Sequence, residues 1–143
     1  MTLRRTNASS STSLLSRAVE ISSDRYLVLF SAQMPPVVDA AADPRSVQAF
    51  GDTHQQTLGC LARVKEVLQE SGLALEDLVH ARVYLVADPR SGQMDFDGFN
   101  TAWSSFFGEH ATAYPARTVL QAAGLVNPGW LLEIEPTAAR VQG

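Results

Sequence analysis

Cysteine is almost missing from this chain, and long apolar runs are missing altogether. Cys60 is the one cysteine among 143 residues, so no intramolecular disulfide can form. Its surroundings, Leu58-Gly59-Cys60-Leu61-Ala62, read as a helix interior, where cysteine acts as a small hydrophobe rather than a reactive thiol. No apolar stretch approaches the roughly 20 residues needed to cross a bilayer, so no membrane association is expected. Basic charge is also scarce. Eleven Lys and Arg face 15 Asp and Glu, a net charge of -4, and no basic run forms a stripe along the chain. A polyanion would be repelled on average, which disfavours a nucleic-acid partner. There is no Gly-rich phosphate loop, no nucleophile elbow and no Cys/His metal pattern, and His54, His80 and His110 lack ligand spacing, so no metal is expected.

The N-terminal residues lack acids and are rich in Ser, Thr and Arg. That composition fits an organellar transit sequence, but also a polar flexible tail, and it has no apolar stretch for secretion. Residues 1–12 are read as a tail, 13–143 as a single domain, and the location as the cytoplasm.

What is present alternates between two periods. Leu14 to Ile21 and the apolar run Tyr26 to Phe30 predict two short strands, the second buried, joined as a hairpin by Ser22-Ser23-Asp24. Met34 to Phe50, with Pro35, Pro36 and Pro44, predicts a loop. Asp52 and Gln55 form a prospective capping box before a helix carrying Leu58, Leu61, Val64, Val67 and Leu68, closed by Gly72. Leu78 to Val86 alternates Val79, Ala81, Val83 and Leu85 with His80, Arg82 and Tyr84, and predicts a strand. A second helix starts near Asp95, with Phe96, Phe99, Trp103, Phe106 and Phe107 as its apolar stripe and Gly108 as its end. Strands at Ala116 to Ala122 and Trp130 to Pro136 finish an α+β chain with two helices on one sheet face. Val28, Phe30, Val83, Leu85, Leu120 and Leu132 exceed what two helices can cover. The other face is therefore expected to be apolar and to bind further copies of the chain.

Four polar residues sit oddly in this pattern. Arg117 follows Tyr114-Pro115-Ala116 at a strand start, where it is either solvated or uses its planar fork to grip a carboxylate. In Leu131-Leu132-Glu133-Ile134-Glu135, alternation puts Leu132 and Ile134 on one face and Leu131, Glu133 and Glu135 on the other. Glu133 is either part of a half-exposed polar face or, if buried, a candidate general base or water anchor. Asn100 faces the apolar stripe of the second helix and needs a hydrogen-bond partner, in a loop backbone or in a site. Ser31, after the Tyr26–Phe30 strand, is placed where it can line a cleft.

In order and spacing, Phe30-Ser31-Ala32-Gln33-Met34-Pro35, Gln56-Thr57, Val83-Tyr84-Leu85, Asp95-Phe96, Asn100, Phe107, Pro115-Ala116-Arg117-Thr118 and Leu132-Glu133-Ile134-Glu135 resemble the RidA/YjgF family of reactive-intermediate deaminases, also described as L-PSP endoribonucleases. The resemblance covers about Leu15 to Ala138. It implies a Bacillus chorismate mutase-like fold that forms a homotrimer, sheets inward, with active sites between subunits. It implies that Arg117 binds the substrate carboxylate and Glu133 handles the catalytic water, with Ser31, Asn100 and Val119 lining the substrate site. The implied reaction hydrolyses 2-imino acids, or 2-aminoacrylate-type enamines, to 2-keto acids and ammonia, with no cofactor. Val119 stands where the family has a cysteine, Leu15 where it has a tyrosine, and Ala32 where it has a glycine. The chain also has one residue more between Arg117 and Glu133, and extra residues at 89–93. These departures mark a divergent subgroup. A trimer that captures small carboxylates without turnover is the alternative. Ribonuclease activity is disfavoured by the acidic balance and the lack of a basic, aromatic-lined groove.

Overall fold

The structure, a computed structural model, describes residues 3–7 and 14–143. Six strands, β1 (Arg4–Asn7), β2 (Ser16–Glu20), β3 (Arg25–Leu29), β4 (Leu78–Leu85), β5 (Ala116–Gln121) and β6 (Leu132–Val141), form one mixed sheet in the order β1-β2-β5-β4-β6-β3. Helices α1 (Thr53–Glu70) and α2 (Phe96–His110) supply the α part of this α+β architecture. α2 is the crossover between β4 and β5, which run parallel, as a parallel pair requires a long connection.

Both helices start on an aspartate. The carboxylate of Asp52 accepts the Gln55 N–H at 2.8 Å, and that of Asp95 accepts the Gly98 N–H at 2.9 Å, satisfying amides that the first turn leaves unpaired. Gly72, at φ +73°, closes α1 in a conformation glycine adopts at little cost. Gly59 is required for a different reason: a Cβ there would collide with the Pro36 ring, which rests against α1. The core packs Cys60, Leu61, Val64 and Leu68 of α1 and Phe99, Trp103, Phe106 and Phe107 of α2 against Ala81, Val83, Leu85, Leu132 and Ile134 of the sheet. Burial pushes the Cys60 thiol far up, leaving it inert as a nucleophile. Gln56, fully buried, ties three segments: its amide donates to Gly51 O and Gly129 O, and accepts from Leu131 N–H at 2.7 Å.

Several expectations need correction. The segment expected to be a tail contains β1, paired antiparallel with β2; residues 1, 2 and 8–12 lie outside the described residues. Its anchor is Arg5, whose guanidinium donates to the carbonyls of Tyr114, Glu76 and Leu78, so polar bonds do what apolar burial does elsewhere. The turn at 22–25 forms, with Arg25 N–H on Ser22 O, but its two strands do not pair. β2 pairs β1 and meets β5 only at Ser16, whereas β3 pairs β6 along its whole length. β3 is an edge strand rather than a buried one, and Leu29 is 75% exposed. Gly108 lies inside α2, which runs on to His110, with Leu14 packed against the glycine. β6 passes through Pro136 and continues to Val141. The ladder shifts register nearby, between Leu78 and His80, where a missing N–H is tolerated.

The sheet face away from the helices is open, but its residues differ from those expected. Val83, Leu85 and Leu132 are fully buried on the helix side, Val28 and Phe30 border the core, and Leu120 alone of the six is exposed. The centre of the open face is polar, with Arg82, Tyr84, Glu133 and Glu135, and is bordered by exposed Leu29 and Leu120. Among the described residues, no helix is long and apolar enough to cross a membrane.

Candidate functional site

Arg117 is the second residue of β5, next to Ala81 of β4, with Val119 next to Val83. Ala81 and Val83 are core residues, so the Arg117 side chain points to the helix side of the sheet, beneath α2. Its guanidinium carbon lies 5.2 Å from the Phe99 ring centroid and 5.0 Å from that of Trp103. Both rings are fully buried, so the cation rests on a dry aromatic bed, a contact worth about 2 kcal/mol when desolvated. One guanidinium nitrogen donates to Asn100 Oδ1 at 3.0 Å. The asparagine on the apolar stripe of α2 thus finds its partner in the site.

Burial pushes the Arg117 pKa down to about 10, and no acidic side chain offsets it among the described residues. At neutral pH the group is still a cation, partly desolvated, fixed by stacking and one amide, with no counter-ion. That combination is chemically able to receive an anion, and the planar fork suits a carboxylate. Val119, half-buried two residues along the same strand face, puts an alkyl group beside it.

Glu133 occupies the opposite side of the sheet. Its cross-strand partner is Tyr84, and Glu135 is opposite Arg82, which it meets at 3.4 Å. Leu132 and Ile134, its chain neighbours, are in the core, so the carboxylate points to the open face. Burial raises its pKa. His80, further along this face, reaches Thr118 Oγ1 at 3.2 Å, and burial, then the nearby Arg82, lowers its pKa. Ser31 is exposed, just past β3, where its carbonyl accepts the Gln33 amide.

Within one chain the fold therefore brings together Arg117, Asn100 and Val119. It leaves Glu133 on the other face and Ser31 at the sheet edge. Two cavities of the isolated chain lie elsewhere. One of about 490 Å³ is bordered by Asp52, Asp88, Arg90 and Phe96, and one of about 410 Å³ by Arg45, Val47, Pro89 and Pro128. Both touch the extra 89–93 turn, where Asp88 holds Arg90 in a bidentate pair. Among the described residues, no group of three or more His, Cys, Asp or Glu side chains is placed to hold a metal ion. Sequence reasoning missed the aromatic bed. The stripe of α2 was visible, but not that Arg117 lies on it.

Residues 7–140 match the family model described as Endoribonuclease L-PSP. The chain belongs to the RidA/YjgF family. It is 29% identical over 114 residues, 80% of each chain, to the 2-iminobutanoate/2-iminopropanoate deaminase of Salmonella typhimurium. Over 114 residues, 80% of this chain and 79% of the relative, it is 30% identical to the putative reactive intermediate deaminase TdcF of Escherichia coli. Among solved structures it is similar to the YjgF gene product of E. coli, with TM-score 0.61, 30% identity and 80% of each chain covered. It is also similar to E. coli TdcF with bound serine, with TM-score 0.62, 27% identity, and 92% of this chain and 96% of that one covered. In this RidA/YjgF chain the residues of the family pattern are thus divided between the two faces of one sheet.

Proposed function

We propose that the protein hydrolyses reactive 2-imino acids, or the 2-aminoacrylate-type enamines that tautomerise to them, to 2-keto acids and ammonia. The observation that carries this reading is Arg117, a partly desolvated cation with no acidic partner among the described residues, packed against the Phe99 and Trp103 rings and hydrogen-bonded to Asn100. Its ligand is a small planar carboxylate. The relatives named as imine deaminases, and the TdcF structure with bound serine, point to the same ligand size and charge.

Because Glu133 lies on the other sheet face, a complete site needs Arg117 from one chain and Glu133 from another. The exposed apolar border of the open face, with Leu29 and Leu120, is the surface on which further copies would dock, as a homotrimer. In the joint cleft, Arg117 orients the substrate carboxylate. A water oxygen attacks the imine carbon while the C=N π pair moves to nitrogen, and Glu133 takes the water's proton. Starting from the protonated imine, this gives a neutral carbinolamine. Glu133 then returns the proton to nitrogen, and the C–N bond breaks to release ammonia. The hydroxyl proton passes back to the Glu133 carboxylate, and from it to solvent, as the C=O bond forms. Such imines hydrolyse spontaneously, so the main contribution is alignment.

The test adds purified protein to an imine-generating amino-acid dehydratase reaction and follows ammonia and keto-acid release. Wild type should accelerate the release. Arg117→Ala, with assembly intact, should lower the acceleration by about 10²–10³-fold, the scale for losing a preorganised charge contact. An unchanged rate removes Arg117 from the mechanism. The carboxylate half of the site is complete within one chain, so capture without turnover is the second reading. Keto-acid binding with no acceleration by wild type would establish it.

A further inference from the structure

The polar cluster on the open face contains a group that the reaction above does not use. Tyr84 is the direct cross-strand partner of Glu133 in the antiparallel β4–β6 ladder, and both side chains are half-buried on the same face. Directly paired residues have Cβ atoms about 4.5–5.5 Å apart, so a phenol and a carboxylate there can share one water molecule. On its other side Tyr84 neighbours Leu120 of β5, which is apolar. Along β4 the charged neighbours are Arg82 and, further on, His80, and along β6 they are Glu133 and Glu135.

Arg82, two residues before Tyr84 on the same face, meets Glu135 at 3.4 Å, and the neighbouring Tyr84 and Glu135 raise its pKa. The Tyr84 phenol can donate as well as accept, and Glu133, directly across the ladder on the same face, carries a carboxylate that, when ionised, can only accept.

We propose that Tyr84 is a positioning residue for the hydrolytic water: its hydroxyl donates to the water's oxygen while Glu133 accepts one of the water's protons. A water held this way has one lone pair on Tyr84 and one proton on Glu133, which aims the remaining lone pair at the imine carbon. The inference rests on the deaminase reading and names what orients its nucleophile.

The experiment uses the full-length assembled protein in the imine assay, with two Tyr84 variants and a keto acid as competitive ligand. Tyr84→Phe should lower kcat about tenfold or more, as for a misplaced reactant, while the keto-acid inhibition constant stays within twofold. A 3-fluorotyrosine at position 84, nearly the same size but a more acidic phenol, should keep kcat near wild type and move the basic limb of its pH profile to lower pH. If Tyr84→Phe fails to assemble, the fluorotyrosine protein decides alone, since a purely structural tyrosine leaves that limb in place. Wild-type kcat in Tyr84→Phe, or an unmoved basic limb in the fluorinated protein, overturns the inference while leaving the deaminase standing. An inactive wild type overturns the deaminase reading, and this inference with it.

Discussion

The two faces of the central sheet are finished to different degrees. On the helix side Arg117 is fully built, with its aromatic bed buried and its amide partner in place. On the open side half-buried Glu133, Tyr84 and Glu135 and exposed Arg82 form a cluster bordered by leucines that no other described part of the chain shields. The difference separates binding from chemistry. On the function proposed above, recognition of an anion would be a property of the monomer, whereas the water-handling groups would need a second surface to exclude solvent around them.

The largest expected effect that sharpens this contrast is on the helix side. Trp103→Ala removes a fully buried ring from both the core and the bed of Arg117. It should cost about 3–5 kcal/mol of unfolding free energy, measured by denaturant titration, together with keto-acid affinity measured by calorimetry. Intact affinity would show that the bed is packing only. On the open side the effect should be the reverse. Leu29→Glu changes a surface position and should alter the stability of the single chain by no more than about 0.5 kcal/mol. Yet it should shift the protein to monomers in sedimentation and abolish turnover. Retained assembly would place the contact surface elsewhere.

The smallest expected effect concerns pH. Burial raises the Glu133 pKa, so its charged form is disfavoured in the folded state. A base must be ionised, so activity should fall on acidification at a pH above that of an ordinary glutamate. Stability carries the opposite sign. The cost of the buried charge is absent at low pH and grows as pH rises through the raised pKa, so wild type should gain stability relative to Glu133→Gln as pH is lowered. Parallel melting curves of the two proteins across this range measure it, and identical slopes would mean that Glu133 is unperturbed.

Much of this was legible beforehand. The stripes Leu61–Val64–Leu68 and Phe99–Trp103–Phe107 lie where helical spacing puts them, and alternation in β4 and β6 correctly separated Val83 from Tyr84 and Ile134 from Glu133. What alternation cannot supply is the relation between strands. That Arg117 and Glu133 point oppositely depends on the registers of β5 and β6 against β4, two long-range choices with no local signature. β1 was hidden for a related reason, since its anchoring bonds run from one arginine to carbonyls of residues some 70 to 110 positions away. β3 misled because an apolar run looks the same whether its own chain or another covers it.

The missing counter-ion at Arg117 has a practical side. On the proposed reading of Arg117, a half-desolvated guanidinium with no acid beside it among the described residues would accept whichever small carboxylate is most abundant, and an anion that binds only the native state stabilises it by mass action. Acetate, citrate or formate in a storage buffer is then a ligand rather than a bystander. Each would steady the fold while occupying the seat the substrate needs.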